Sequence, residues 1–303
     1  MAEGGWHLRI EFINRETGEI ETEQVVGENY LKWLYTSPVG MGLLELIVKK
    51  KIFSYLYGKF QDFPLSRRKI PQFINKYGID ENEFLLKPEE YKTFNEFFYR
   101  KLKEGARKID PGENRLISPA DGRLLAYEKI DIDNLIQLKG FTYSLGELIG
   151  DQSLAKDFQG GACVVIRLCP TDYHRFHFPT SGVPEAPKTI KGYYYSVNPL
   201  ALKTKANIYC KNIRQMTIFH SEIFNDILLV EVGATCVGSI VQTFSPNKLA
   251  SKGQEKGYFK FGGSTVIIFL KNGKISLDED LLDNTRKGYE TKVKMGMGIG
   301  TCC

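Results

Sequence analysis

The second half of the chain carries runs that leave little choice of local structure. "GACVVIRLCP", "DILLVEVGATCVGSIVQTF" and "STVIIFLKNGKISL" are rich in β-branched residues and are punctuated by Gly, Pro or Asn-Gly. Runs of this length and composition suit strands rather than helices. With "RLISPADGRLLAY" they turn everything after about Asn114 into short strands and Gly/Pro turns, and Asn272-Gly273 is a hairpin signal. No internal repeat or low-complexity tract interrupts the chain. The expectation is an α+β protein. A helical N-terminal part, residues 1–108, leads into a β-rich, mainly antiparallel domain, residues 109–303, of barrel-like or sandwich-like form.

"WHLRIEFINRETGEIETEQVV" alternates apolar and polar residues about Thr17-Gly18 and predicts a hairpin over residues 6–26. The following segment, residues 29–70, has helical spacing. Trp33, Tyr35, Phe53, Tyr55 and Tyr57 stand beside Lys49, Lys50, Lys51 and Lys59. Two arrangements answer to that pattern. Interfacial helices would dip apolar side chains into a headgroup boundary while lysines meet anionic lipid; a helical hairpin would pack on its own core. The longest apolar stretch, Pro38 to Val48, is broken by Glu45 and is too short to span a bilayer. Residues 71–108 read as further helix, soluble in character, with Thr93 as an N-cap and Glu96 as its capping-box partner.

Composition narrows the classes of function. The 303 residues are 42% apolar, enough for a sizeable core. A net charge of +5 makes no case for nucleic acid, but it suits an anionic membrane surface where the lysines cluster. Six cysteines without a CxxC pair or a disulfide-like spacing lead us to expect a reducing compartment and mostly buried, free thiols. The first residues are polar and acidic, so no secretory leader is expected.

Three stretches hold residues suited to chemistry. "SPADG" sets Asp121 in a turn after a strand, although Asp before Gly is common in turns for local reasons. "DYHRFHFP" sets His174 and His177 three apart between two prolines. A metal would need further ligands, and neither His7, His220 nor the cysteines supply them at ligand spacing, so no metal site is expected. "FGGST" sets Ser264 after Gly262 and Gly263. A Gly-Gly-Ser turn is ordinarily just a turn, and Gly238-Ser239 offers a second Gly-Ser pair that reads as a bulge or close-packing site. At Gly263, however, the carbonyl has no side chain beside it on either glycine. Ser264 also lacks the G-x-S-x-G elbow of an α/β-hydrolase. Asp, His and Ser are the parts of an activated nucleophile, and the nearest electrophile to Ser264 is its own preceding peptide carbonyl.

Taken together, "SPADGRL", "YHRFHFP", "VGATCVGSI", "KGQEKGYFKFGGST" and "ETKVKMGMGIG" resemble the phosphatidylserine decarboxylase family, of the type whose processing motif reads GGST. The resemblance runs from about Phe94 to Gly300; the N-terminal hairpin lies outside it. It implies a proenzyme that cleaves itself between Gly263 and Ser264, giving a β chain 1–263 and an α chain 264–303. Ser264 would become a covalent pyruvoyl group, which takes the amine of phosphatidylserine as a Schiff base. By position, Asp121, His177 and Ser264 would form the charge relay of self-cleavage. The choice of His177 over His174 comes from the family pattern, since spacing alone cannot make it. A histidine also suits proton delivery during decarboxylation, and His174 is the candidate. A lipid substrate favours membrane attachment of the N-terminal helices over internal packing: peripheral or monotopic, on the cytoplasmic side of the cell membrane. The implied partners are phosphatidylserine, an anionic membrane surface and the two chains of one precursor. A homodimer is compatible with the family. Two other classes fit the same residues: a non-catalytic lipid-binding protein, or a conventional hydrolase acting on an external ester. Both would keep the chain intact.

Overall fold

A computed structural model describes residues 10–138, 141–235 and 239–303. The expected strands form the centre of the molecule. In the ten-stranded main sheet, Ser264–Leu270 lies between Asn225–Gly233 and Ala162–Leu168, and both pairings are antiparallel. The sheet continues on one side through Arg214–Ser221 to Lys188–Ile190. On the other side it continues through Gly122–Glu128 and Glu290–Val293 to Glu11–Asn14 and Ile20–Thr22. Ser264–Leu270 is buried at every position. Successive side chains leave a strand on opposite faces, so a run buried on both is mostly apolar, here from Val266 to Leu270. Ile267 and Phe269 enter one core with Val165 and Val230; Val266, Ile268 and Leu270 enter a second with Val164 and Leu229.

The sheets are mostly antiparallel, as expected, but the main one is an open path and not a closed barrel. Its terminal strands, Lys188–Ile190 and Ile20–Thr22, are largely exposed and do not meet. Exposed, polar edges of this kind end a sheet instead of closing it. A three-stranded sheet, Ile240–Gln242, Glu255–Phe259 and Arg175–His177, carries both motif histidines at or beside its last strand and sends Phe176 and Phe259 into the second core.

The hairpin about Thr17-Gly18 is present, with Gly18 at φ +74°. Residues 6–9 of that expectation lie outside the described residues, as do His7, Cys236 and Gly238. Glu11–Asn14 adds to the main sheet beside Glu290–Val293, in parallel. The Asn272-Gly273 turn also forms, with Gly273 at φ +68°, but it does not close a hairpin. Both edges of Ser264–Leu270 are already taken, so Ser276–Leu277 pairs with Gly298–Thr301.

The N-terminal segment folds as helices Glu28–Thr36, Pro38–Leu43 and Lys51–Gln61, with a π-helical turn at Leu44–Val48. Leu34, Tyr35, Leu44 and Val48 pack into the first core. The expected helix over 71–108 is shorter than the pattern suggests: Ile70–Tyr77 and Phe94–Phe98 are α-helical, and two 3-10 turns lie between them. Thr93 caps the second helix, its Oγ1 accepting from the Glu96 N–H at 3.1 Å. The Glu96 carboxylate bonds the Lys92 N–H instead of closing the capping box. Cys163, Cys169 and Cys210 are buried free thiols; Cys303 is exposed.

Candidate active site

Ser264 is the first residue of its strand, level with Gly233 on one neighbour and Leu168 on the other. It is fully buried, and its Oγ has no hydrogen-bond partner among the described residues. A buried hydroxyl without a bond costs roughly 1–3 kcal/mol, so stability alone does not account for it. Gly262 takes φ +137°, a region of backbone that side chains rarely enter. Gly263 carries no such demand: a Cβ there would meet only Val197 Cγ2, at 3.4 Å. The first glycine makes the turn; the second leaves its carbonyl unshielded.

The turn is held from the N-terminal side. The Phe261 N–H donates to Asn95 Oδ1 at 2.9 Å, and the Asn95 amide donates to Asp62 at 2.9 Å. The Phe261 ring packs on Phe94, Phe98 and Tyr57, with centroids 4.9–5.8 Å apart. Gly262 and Gly263 thereby form part of the wall of a mainly apolar cavity of about 280 Å³. Tyr30, Leu31, Phe53 and Tyr57 of the N-terminal helices face them across it.

The two histidines have different surroundings. His174 is fully buried under the Phe98 ring, centroid to centroid 3.9 Å. Its Nδ1–H donates to the Asp172 carbonyl at 3.0 Å, which leaves Nε2 as the basic nitrogen; Nε2 has no hydrogen bond of good geometry. Burial lowers the pKa of this ring to about 4 and the Arg100 cation adds to the effect, while the backbones of Asp172 and Gly262 oppose it. His174 therefore sits against the Gly262 backbone as a neutral imidazole.

His177 closes the strand Arg175–His177, opposite Glu255. Its Nδ1–H donates to the Gly253 carbonyl at 2.9 Å, and the Tyr173 hydroxyl stands 3.4 Å from Nε2 as its donor. Burial again lowers the pKa, while the Gly253 carbonyl, Glu255 and Asp121 act in the opposite sense. Asp121 is near enough to be felt by His177 but does not bond it. Its carboxylate accepts from Arg107 Nε at 3.0 and 3.1 Å, from Arg107 Nη2 at 2.6 Å and from the Met295 N–H at 2.8 Å.

The fold thus brings Asp121 and His177 into one cluster with Arg107 and Tyr173, and His174 to the Gly262-Gly263-Ser264 turn. It does not join Ser264 to either histidine by a hydrogen bond in the uncleaved chain. Sequence reasoning missed Asn95, Phe98, Arg107 and Tyr173 as supports of the site. Tyr173 adjoins a motif histidine, but no spacing or composition distinguishes the other three from ordinary core or surface residues.

Fold and site together define an α+β protein with a buried serine at a strand head, a glycine carbonyl before it, a neutral histidine against Gly262 and a second buried histidine in the field of an aspartate. Comparison with known proteins gives that arrangement its family. The profile described as "Phosphatidylserine decarboxylase" matches residues 94–301. The phosphatidylserine decarboxylase proenzyme of Clostridium kluyveri is 56% identical over 291 residues, covering 96% of this chain and 98% of that protein. Its namesake in Clostridium novyi is 55% identical over 292 residues, covering 96% and 99%. The chain belongs to the phosphatidylserine decarboxylase family.

Proposed function

We propose that this chain is a self-processing, pyruvoyl-dependent decarboxylase that converts phosphatidylserine to phosphatidylethanolamine and CO₂. The observation that carries the reading is Ser264 itself: buried, unbonded, and adjoining the bare Gly263 carbonyl on a cavity wall. Ser264 Oγ attacks that carbonyl and its proton passes to His177 Nε2, with the Asp121 carboxylate stabilising the imidazolium that results. The Gly263–Ser264 C–N bond breaks as an ester forms on Oγ. Elimination then frees the Gly263 carboxylate from the Ser264 side chain, and hydrolysis of the remaining dehydroalanine releases ammonia. The residues fit the prosthetic group. Residues 265–270 are paired on both sides, so a new chain end at position 264 stays seated beside the cavity. Once formed, the pyruvoyl group would take the substrate amine and supply a sink for the electron pair left when CO₂ departs. The chain's own part is to exclude water with Phe98 and Phe261, to bind the headgroup in the cavity, and to move a proton through His174 Nε2, which takes it from the arriving ammonium and gives it to the α-carbon.

The division into residues 1–108 and 109–303 follows this chemistry, with the first part docking the enzyme to lipid. No described helix is long and apolar enough to cross a membrane. Leu46, Ile52, Phe60, Phe63 and Leu65 are 57–68% exposed. The exposed Lys50, Lys51, Lys59, Arg67 and Arg68 accompany them. Apolar side chains among cations suit peripheral or monotopic attachment to an anionic surface, here the cytoplasmic face of the cell membrane. A homodimer belongs to the same reading, and light scattering on the processed protein tests it.

Intact-mass spectrometry tests the function. Wild-type protein should give two chains split between Gly263 and Ser264, the smaller blocked at its N-terminus by pyruvoyl. Ser264→Ala should remain one chain of the full mass. A wild-type preparation that stays intact yet releases CO₂ from phosphatidylserine would overturn the reading.

A further inference from the structure

Two charged residues, Glu23 and Arg167, are among those that line the cavity beside Gly262 and Gly263. Arg167 has no N–H left to offer. Nε bonds Glu290 Oε1 at 2.9 Å. Nη1 bonds Glu23 Oε1 at 3.2 Å and Cys169 Sγ at 3.1 Å. Nη2 bonds Glu23 Oε2 at 2.6 Å and also Glu290 Oε2. A guanidinium has five N–H groups, and all five are engaged. Two carboxylates on one guanidinium leave an excess of one negative charge. Arg123, 3.6 Å from Glu23, is paired with Asp172, which Arg100 also faces, so the excess is local to the Glu23–Arg167–Glu290 group.

Glu23 is the member of that group that carries a negative charge and also lines the cavity. Burial opposes its ionisation, but Arg167 and Arg123 bring its carboxyl down to about 2. Each Glu23 oxygen accepts one bond from Arg167 and the Cys169 thiol adds to them, which still leaves lone-pair capacity on the carboxylate. The residue is fixed by the hairpin that precedes it, its N–H bonding the Ile10 carbonyl at 2.8 Å. A carboxylate on a mainly apolar wall attracts a cation far more strongly than it would in water. It also disfavours a headgroup that enters with its anionic groups leading.

We propose that Glu23 recognises the substrate ammonium and so selects aminophospholipid headgroups. The inference rests on the reading of residue 264 as the reaction centre, since the amine that must arrive there is the one cationic group of phosphatidylserine. It gives the N-terminal hairpin, which lies outside the residues matched by the family profile, a role in specificity.

The test uses the uncut Ser264→Ala chain, where binding is separate from turnover. Calorimetry at neutral pH compares glycerophosphoserine with glycerophosphoglycerol. The serine compound should bind at least about tenfold tighter, and Glu23→Gln in the same background should bring the two together. Glu290→Gln removes the other carboxylate from Arg167, and with it the excess charge, without touching the cavity wall, and should reduce the preference by less than Glu23→Gln does. An unchanged preference in Glu23→Gln overturns the inference, and so does equal loss in both variants, because Glu23 would then act only through Arg167. The charge can also be removed from the ligand. N-acetyl glycerophosphoserine should bind about tenfold more weakly than glycerophosphoserine, and equal binding overturns the inference whether or not Glu23→Gln folds. Wild-type splitting at Gly263–Ser264, read by mass, reports separately on the reaction-centre reading.

Discussion

At the scale of single residues, two histidines three apart are given different tasks by what surrounds them. His174 lies under Phe98 against the Gly262 backbone; His177 lies with Tyr173 and within the field of Asp121. The proposed roles therefore separate by mutation. His177→Ala should slow chain splitting by about 10²–10⁴-fold, the usual range for loss of a general base, as read by gel or mass over time. His174→Ala should still split but should lose CO₂ release from phosphatidylserine. The opposite pattern would exchange the two assignments. Burial also sets the pH profile. The folded His177 has a pKa below 6.5, so it is already an unprotonated base at neutral pH. The fall in splitting rate with acidification should be centred below pH 6.5; a fall centred above 6.5 would contradict the assignment. Asp121, His174, His177 and Ser264 were legible in the sequence as chemistry-bearing residues in turns. Their partners were not: Arg107 is 14 residues from Asp121, and Asn95 is 166 residues from the Phe261 N–H that it holds.

At the scale of elements, helix Lys51–Gln61 faces two ways. Phe53 packs against the first core and Tyr57 against Phe261, while Ile52, Leu56 and Phe60 project outward. The sequence pattern allowed either interfacial helices or a self-packed hairpin, because helical spacing reports that a face is apolar and not what covers it. In the structure the segment both packs inward and leaves a second apolar face open. If that face enters lipid, Ile52→Asp and Phe60→Asp should each weaken sedimentation with phosphatidylserine-containing vesicles by about tenfold or more, given ~1.5–3 kcal/mol per buried large apolar side chain. Both positions are 65% exposed, so the thermal midpoint should hardly move. Binding that is unaffected by both changes would refute the docking surface. The Asn272-Gly273 signal teaches the same lesson for strands. The turn is local and forms, while the pairing of Ser276–Leu277 beyond it depends on which sheet edges remain free.

At the scale of the whole molecule, stability should follow pH through the buried histidines. His174 falls from 6.5 to about 4 on folding and His177 is lowered as well. Between those values the unfolded chain binds more protons than the folded one, so stability is full above about pH 6.5 and declines as the pH falls towards 4. His220 is raised by Asp226 and then Glu185 and opposes this trend. Its side chain is 48% exposed, so its contribution is small. Thermal midpoints at pH 7 and pH 5 should differ in wild type, and the difference should narrow in His174→Gln. An undiminished slope in that variant would show that other groups carry it.

The sequence by itself determined the β-rich half, its central apolar strands, the N-terminal hairpin and the family. These are local properties: β-branching, turn chemistry and contiguous motifs act over a few residues. It did not determine the open end of the main sheet, the parallel addition of Glu11–Asn14 beside Glu290–Val293, or the clasp of Asn95 and Phe98 on Phe261 before the Gly262-Gly263 turn. Each of those depends on which surfaces remain unpaired once the central strands have assembled, and only the assembled molecule fixes that.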